Sequence, residues 1–316
     1  MAVSPARDEL LLTRVERFTR MLHGVEEGDV SAVHRTRVAS RRLREVLPVL
    51  QLDPDVSEKL SKRLRKVTQR LGPMRELDVL LAVIEELGQT DRYSPAALER
   101  VAVVVRGERE RIHARFAEKR SIAELTRLAR KLEKIGHELE LEDANLLERR
   151  KEAKARQWVL EARAARRASA LASAMTDAGA VYQPERLHAV RIAVKKLRYA
   201  LEVSADAARV KSTPDLRLLK NVQDALGRLH DLHVLVERVR QLQASAAPPD
   251  VTTWRQLNAL ELALENDCRR LHARYMREHD ALAALCGKLT GHKEVKTQKL
   301  ELKSSKSRRV KQTAGN

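Results

Sequence analysis

"VHRTRVASRRLREVL", residues 33–47, and "LHAVRIAVKKLRYAL", residues 187–201, repeat one pattern with His34 and His188 standing 154 positions apart. On a helix advancing about 100° per residue, with His34 at zero, Arg37, Arg41 and Arg44 fall at about 300°, 340° and 280°. A histidine and three arginines therefore share one stripe, while Leu43, Val46, Leu47 and Leu50 occupy the opposite face and can enter a core. In the second copy His188, Arg191, Lys195 and Arg198 fall on the same stripe, with Leu197 and Leu201 opposite. The period is helical in both copies, and the register of the cations is kept.

Outward from these two helices the chain is punctuated by Ser, Asp or Gly followed by Pro, the signature of a helix start. Helices are predicted after Ser4, from Asp29, from Asp53-Pro54, from Gly72-Pro73, and from Ser94 to about Lys119. Between Ser121 and Asp177 the one breaker is Gly136, and the charge density at helical spacing predicts one or two long helices bridging the halves. The pattern then restarts: "YQPERLHAVRIAVKKLRYALEV", "TPDLRLLKNVQDAL", "GRLHDLHVLVERVRQLQ" and the stretch from "PPDVTTW" onward repeat the earlier order. Leu71-Gly72 aligns with Leu226-Gly227 at an offset of 155, so loop lengths are preserved to about one residue. Short loops make consecutive helices antiparallel neighbours. The expected fold is all-α: two pseudo-symmetric antiparallel four-helix bundles joined by long helices. Half one covers about residues 1–120, the connecting helices about 121–158 and half two about 159–287. Residues 288–316 hold nine Lys or Arg against Glu294 and Glu301 and are expected to form a disordered basic tail of net charge about +7.

Composition agrees with this picture and narrows the partner. Only 11 Gly and 9 Pro interrupt 316 residues, and 43% are hydrophobic, enough for a real core. The net charge is +18 and the pI about 10.2, which attracts polyanions in general. Aromatics supply only 3%, so the platforms on which single-stranded bases stack are scarce and a polyanion without bases is favoured. Cys268 and Cys286 match no metal or redox spacing and are expected to be reduced thiols. No 18-residue apolar run and no leader-like start are visible, which predicts a soluble, cytoplasmic protein without a membrane partner.

The simplest reading of the repeated stripe is a solvated cationic face. Like charges at i,i+3 and i,i+4 nevertheless cost about 0.2–0.5 kcal/mol each, and almost no Asp or Glu is interleaved to relieve them. A destabilising stripe written twice in register is better explained by an anionic ligand that neutralises it.

The paired signature H-x-x-R-x-x-x-[RK]-[RK]-L-R, followed in each half by a basic helix running into "LGPMRELDVLL" or "LGRLHDLHVLV", resembles the CHAD family, the conserved histidine α-helical domain. The resemblance spans residues 1–287. It implies paired four-helix bundles whose basic faces surround a cavity, and binding of inorganic polyphosphate at bacterial polyphosphate granules, as in phosin-like proteins. Carried over by position, the family's basic residues fall on His34, Arg37, Arg41, Arg42 and Arg44, with Lys62 and Arg65 from the next helix. In the second half they fall on His188, Arg191, Lys195, Lys196, Arg198 and the adjoining Tyr199, with Arg217 and Lys220. Arg42 and Lys196 lie at about 80° on the wheel, off the main stripe. The family's Arg-Asp pair appears as Arg75-Glu76 and as His230-Asp231, so Arg75 is expected in a structural ion pair or at a helix start.

Polyphosphate offers repeated charge and no base edges, so its receptor needs cationic donors, Arg forks above all. Eight phosphate contacts would give a log K against log salt slope of about −5 to −6, by analogy with single-stranded nucleic acid. The chain carries no E-x-E-x-K strand signature and no G-x-x-x-x-G-K-[ST] loop, and no carboxylate pair is visible beside the stripes to hold magnesium, so no enzyme, metal or cofactor is expected. The two "HD" dipeptides, His230-Asp231 and His279-Asp280, carry no further metal-site spacing. A nonspecific nucleic-acid binder is the rival reading, through the basic tail. Granule-associated partner proteins are compatible with either.

Overall fold

The computed structural model describes residues 6–118, 121–142, 146–208, 213–245 and 250–313, with side chains described outside 117–121, 143–156 and 292–313. In chain order the helices are α1 (Arg7–Thr19), α2 (Leu22–Glu26), α3 (Val30–Val46), α4 (Pro54–Arg70), α5 (Gly72–Gly88) and α6 (Pro95–Glu118). They continue with α7 (Ser121–Glu142), α8 (Leu146–Ala178), α9 (Pro184–Ala207), α10 (Pro214–Ser245) and α11 (Val251–Thr313). The fold is all-α.

Local chemistry sets the starts. The Asp29 carboxylate accepts from the Ala32 N–H at 2.6 Å and opens α3. Asp53 accepts from the N–H groups of Asp55 and Val56, and Pro54 fixes the first turn of α4. Gly28, in the turn before α3, has φ +75, a conformation that a Cβ would strain. Where α4 passes into α5, Pro73 removes a donor and its ring breaks the helix after Leu71. The repeat-equivalent position in the second half is Arg228, and there the predicted pair of helices is instead the single α10, running through Gly227 without interruption.

Burial forms three cores. The first joins α1, α3, α4 and α7, with Leu11, Phe18, Leu43, Leu64 and Leu132 at its centre. The third joins α8, α9, the first half of α10 and the later part of α11, around Leu171, Val194, Leu197, Leu219 and Leu282. Between them lies a shared middle core: Leu80 and Ile84 of α5 and Ala97 and Val101 of α6 meet Leu235 and Val239 of α10 and Leu260 and Leu264 of α11. Equivalent elements of the two halves thus touch each other, α3 with α9, α5 with α10 and α6 with α11, as a pseudo-twofold arrangement requires. The segment predicted as a bridge also packs. Leu125, Leu128, Leu132 and Leu139 form an i,i+3,i+7 stripe that folds α7 against α1 in the first core, and Gly136 faces Leu12 where a Cβ would collide.

Cys268 and Cys286 are buried free thiols. Among the described residues no helix is long and apolar enough to cross a membrane. Of the stretch expected as a basic tail, Lys288 pairs with Asp215 at 3.1 Å and Leu289 packs on the third core. From residue 292 onward its side chains lie outside the described residues.

Candidate functional site

The apolar faces of α3 and α9 go into the first and third cores, so their cationic stripes are left on the sides that face each other. Between them is a cavity of about 770 Å³. From α3 it is lined by His34, Arg37, Arg41 and Arg44, and from α9 by His188, Arg191, Lys195, Lys196 and Tyr199. Arg65 of α4 and Arg167 of α8 close one side, and Arg75 and Glu76 of α5 stand opposite His230 and Asp231 of α10 in sequence-equivalent positions. Arg37 donates to the Thr68 carbonyl, and Gly72 leaves room for it: a Cβ there would stand 3.2 Å from Arg37 Nη1. Among the described residues Arg41, Arg65, Arg75, Arg191, Lys195 and Lys196 have no carboxylate at ion-pair distance. Nε of Arg44 and of Arg191 is buried without a hydrogen-bond partner.

Crowded, partly buried cations lower one another's proton affinity. Burial, then Arg191 and Arg41, brings the Lys195 ammonium down to about 7, with Asp231 opposing. Burial, then Arg41 and Arg75, brings the Arg37 guanidinium to about 10. The His34 imidazole is pushed below its ordinary value by burial and then by Arg75, Arg37, Arg41 and Lys195, so cations of both halves act on it. His188 and His230 approach Nδ1 to Nδ1 at 3.3 Å; burial and Arg191 lower both, His230 to about 3. Burial raises the Asp231 carboxyl, against the opposing pull of Arg191 and Lys195. Among the described lining residues nine Lys or Arg stand against three carboxylates, Glu45, Glu76 and Asp231, so the cavity carries an excess of positive charge.

A family model described as the CHAD domain matches residues 9–240. The chain belongs to the CHAD family. Among solved structures, the crystal structure of the CHAD domain from the plant Ricinus communis is similar at a TM-score of 0.59 and 24% identity, covering 89% of this chain and 94% of that one. PptA from Streptomyces chartreusis is similar at 0.57 and 19% identity, covering 86% and 97%. At these identities the likeness establishes a shared fold. No curated protein matches the chain.

In this CHAD protein ten of the residues selected from sequence line the cavity: His34, Arg37, Arg41, Arg44, Arg65, His188, Arg191, Lys195, Lys196 and Tyr199. Five lie elsewhere. Arg198 is held by Glu202, donates from Nε to Gln223 at 2.9 Å and covers the Tyr199 ring at 4.9 Å. Arg42 pairs with the same Glu202 at 3.3 Å, across the halves. Lys62 pairs with Glu58 at 2.7 Å, Lys220 with Asp224 at 3.2 Å, and Arg217 is exposed. The divergence of Arg44 and Arg198 has a cause visible in the chain: four residues on, the first half has Pro48 and the second has Glu202, which captures its arginine. Lys196 reaches the cavity although the wheel places it off the stripe.

Sequence reasoning did not select Arg167, named His230 and Asp231 only as the counterpart of the family's Arg-Asp pair, and expected Arg75 in an ion pair or at a helix start. Arg75 does sit in the first turn of α5, but it lines the cavity without an ion-pair partner among the described residues. Three carboxylates also reach the lining: Glu45 from α3 itself, and Glu76 and Asp231 because α5 and α10 pack against α3 and α9. Glu45 is already engaged, by Arg163 at 2.6 Å and Arg167 at 3.6 Å.

Proposed function

We propose that this protein binds inorganic polyphosphate, without catalysis, in the cavity between α3 and α9, and that it does so at polyphosphate granules in the cytoplasm. The observation that carries the reading is the convergence of unpaired cations from both halves on one cavity, with Arg37, Arg41 and Arg75 on one side and Arg191 and Lys195 on the other. A linear polyanion gripped from two sides satisfies all of them, and Arg forks match phosphate oxygens. The link of the CHAD family to polyphosphate supports the same ligand. Among the described residues Tyr199 is the only Phe, Tyr or Trp of the lining, and it is 6% exposed and covered by Arg198, so the large aromatic platforms that favour bases are lacking there.

The test is a polyphosphate titration of the wild type against the Arg37→Ala, Arg41→Ala, Arg191→Ala, Lys195→Ala quadruple variant. Equal affinities would remove the cavity as the site. Release of phosphate from polyphosphate in a metal-supplemented assay would replace the non-catalytic reading, and displacement of polyphosphate by nucleic acid at matching phosphate concentration would favour the nucleic-acid rival.

A further inference from the structure

The face of α3 that turns away from the cavity is also cationic. Arg35 and Arg42 fall at about 100° and 80° on the wheel that has His34 at zero, against about 280° to 340° for the cavity arginines. They line a separate groove of about 280 Å³ formed with α1, where Arg14, Arg17 and the C-capping Arg20 recur every three residues along the edge. His34 and Val38 lie between the two sectors and line both the groove and the cavity. The two basic surfaces are therefore continuous around the open side of α3.

The groove is not an echo of the internal repeat. On α8, which packs on α9 as α1 packs on α3, residues 168–178 contain no Lys or Arg. It is not neutralised either. Arg14 pairs with Asp206, Arg20 with Glu16 and Arg42 with Glu202, whereas Arg17 and Arg35 are exposed and, among the described residues, have no carboxylate partner. Arg14 is itself only 7% exposed and fixed by its own Leu10 carbonyl as well as by Asp206, so the floor of the groove is rigid.

We propose that the α1–α3 groove is a second phosphate-binding track that holds the part of a polyphosphate chain leaving the central cavity past His34. This rests on the cavity binding polyphosphate and adds a direction to it: a long chain is followed out on the first half alone. The track takes phosphates only when the chain is longer than the cavity holds, so it selects for length.

The experiment uses the full chain and two probes, tripolyphosphate and a long-chain polyphosphate, with Arg17→Ala/Arg35→Ala as the variant. An Arg255→Ala/Arg277→Ala variant removes the same charge from exposed positions on α11. The groove variant is expected to lose about tenfold in long-chain affinity, the sum of two exposed ion contacts, and nothing for tripolyphosphate. Its log K against log salt slope for the long chain should shrink by about 1.4, two contacts at about 0.7 each. The α11 variant should match the wild type with both probes. An undiminished long-chain affinity, an equal loss for both probes, or the same loss in the α11 variant each overturns the track while leaving the cavity standing. A single-stranded oligonucleotide is titrated as a control ligand, and a loss confined to it overturns the track and reassigns the groove to nucleic acid. A wild type that binds neither probe would remove the cavity reading and the track with it.

Discussion

Replacing Lys195 by methionine should stabilise the free protein and weaken polyphosphate binding, and the stabilisation should fade as pH rises. The ammonium belongs to α9, and Arg191 of the same helix and Arg37 and Arg41 of α3 press on it, with Asp231 of α10 as the opposing charge. Burial and these neighbours bring it to about 7 in the fold, whereas an unfolded lysine titrates near 10.4. Between those values the unfolded chain holds a proton that the folded chain releases, so stability must rise with pH. The destabilisation is absent above about pH 10.4, grows as pH falls, and is complete below about pH 7. From pH 7 to pH 9 the proton difference grows from about half to nearly one, worth about 2 kcal/mol at about 1.4 kcal/mol per unit. Methionine keeps the stem and fills the space without the charge. Urea unfolding of both proteins, free of polyanion, at pH 7, 8 and 9 gives the comparison: the stability advantage of Lys195→Met should be largest at pH 7 and shrink by about 2 kcal/mol by pH 9. A constant difference, or a wild type more stable than the variant at pH 7, would refute the burial of a strained charge at this position.

Polyphosphate affinity of the wild type should be higher at pH 6 than at pH 8, because Lys195 and the lowered His34 and His188 regain protons when the polyanion arrives; calorimetry in buffers of different ionisation heat should detect proton uptake, and Lys195→Met should flatten the dependence. Gly72→Ala should weaken polyphosphate binding severalfold while changing stability little, since the added Cβ, 3.2 Å from Arg37 Nη1, shifts the guanidinium, and at the first residue of α5 the helix preference of alanine counts for little; titration and thermal unfolding separate the two effects. Glu202→Gln should release Arg42 and Arg198 together, raising low-salt affinity for polyphosphate and lowering stability by about 1 kcal/mol, read by titration and urea unfolding of one sample.

What the sequence discloses is what one helix decides. His34, Arg37, Arg41 and Arg44 share a stripe because of backbone geometry alone, and the apolar residues opposite them dictate which side is buried. The same logic shows Leu77, Leu80, Ile84 and Leu87 to be a core face, yet it does not show that α10 and α11 of the other half cover it. Arg167 reaches the cavity only through the docking of α8, so no spacing along the chain announces it, and the repeat offset that pairs His230-Asp231 with Arg75-Glu76 does not say that α10 turns them inward. Two local signals were legible and decide real differences. Pro73 against Arg228 separates α4 from α5 but leaves α10 whole, and Pro48 against Glu202 leaves Arg44 open but ties Arg198.

The two halves also differ at the middle of the comb, where Arg41 is matched by Lys195 at the repeat offset. A guanidinium stays charged at any physiological pH, so a cavity lined by arginine on both sides would have to carry all of its repulsion in the free state. Lysine gives way: its ammonium is less able to share a buried site, and near neutral pH the free cavity can shed one charge there. The ligand restores that charge, so the proton is taken up on binding as well as on unfolding. Arginines thus fix where phosphate oxygens are held, and one lysine at their centre lets the unliganded fold tolerate them. The repeat supplies two combs, and the departure from arginine at Lys195 keeps two facing combs compatible with a stable protein.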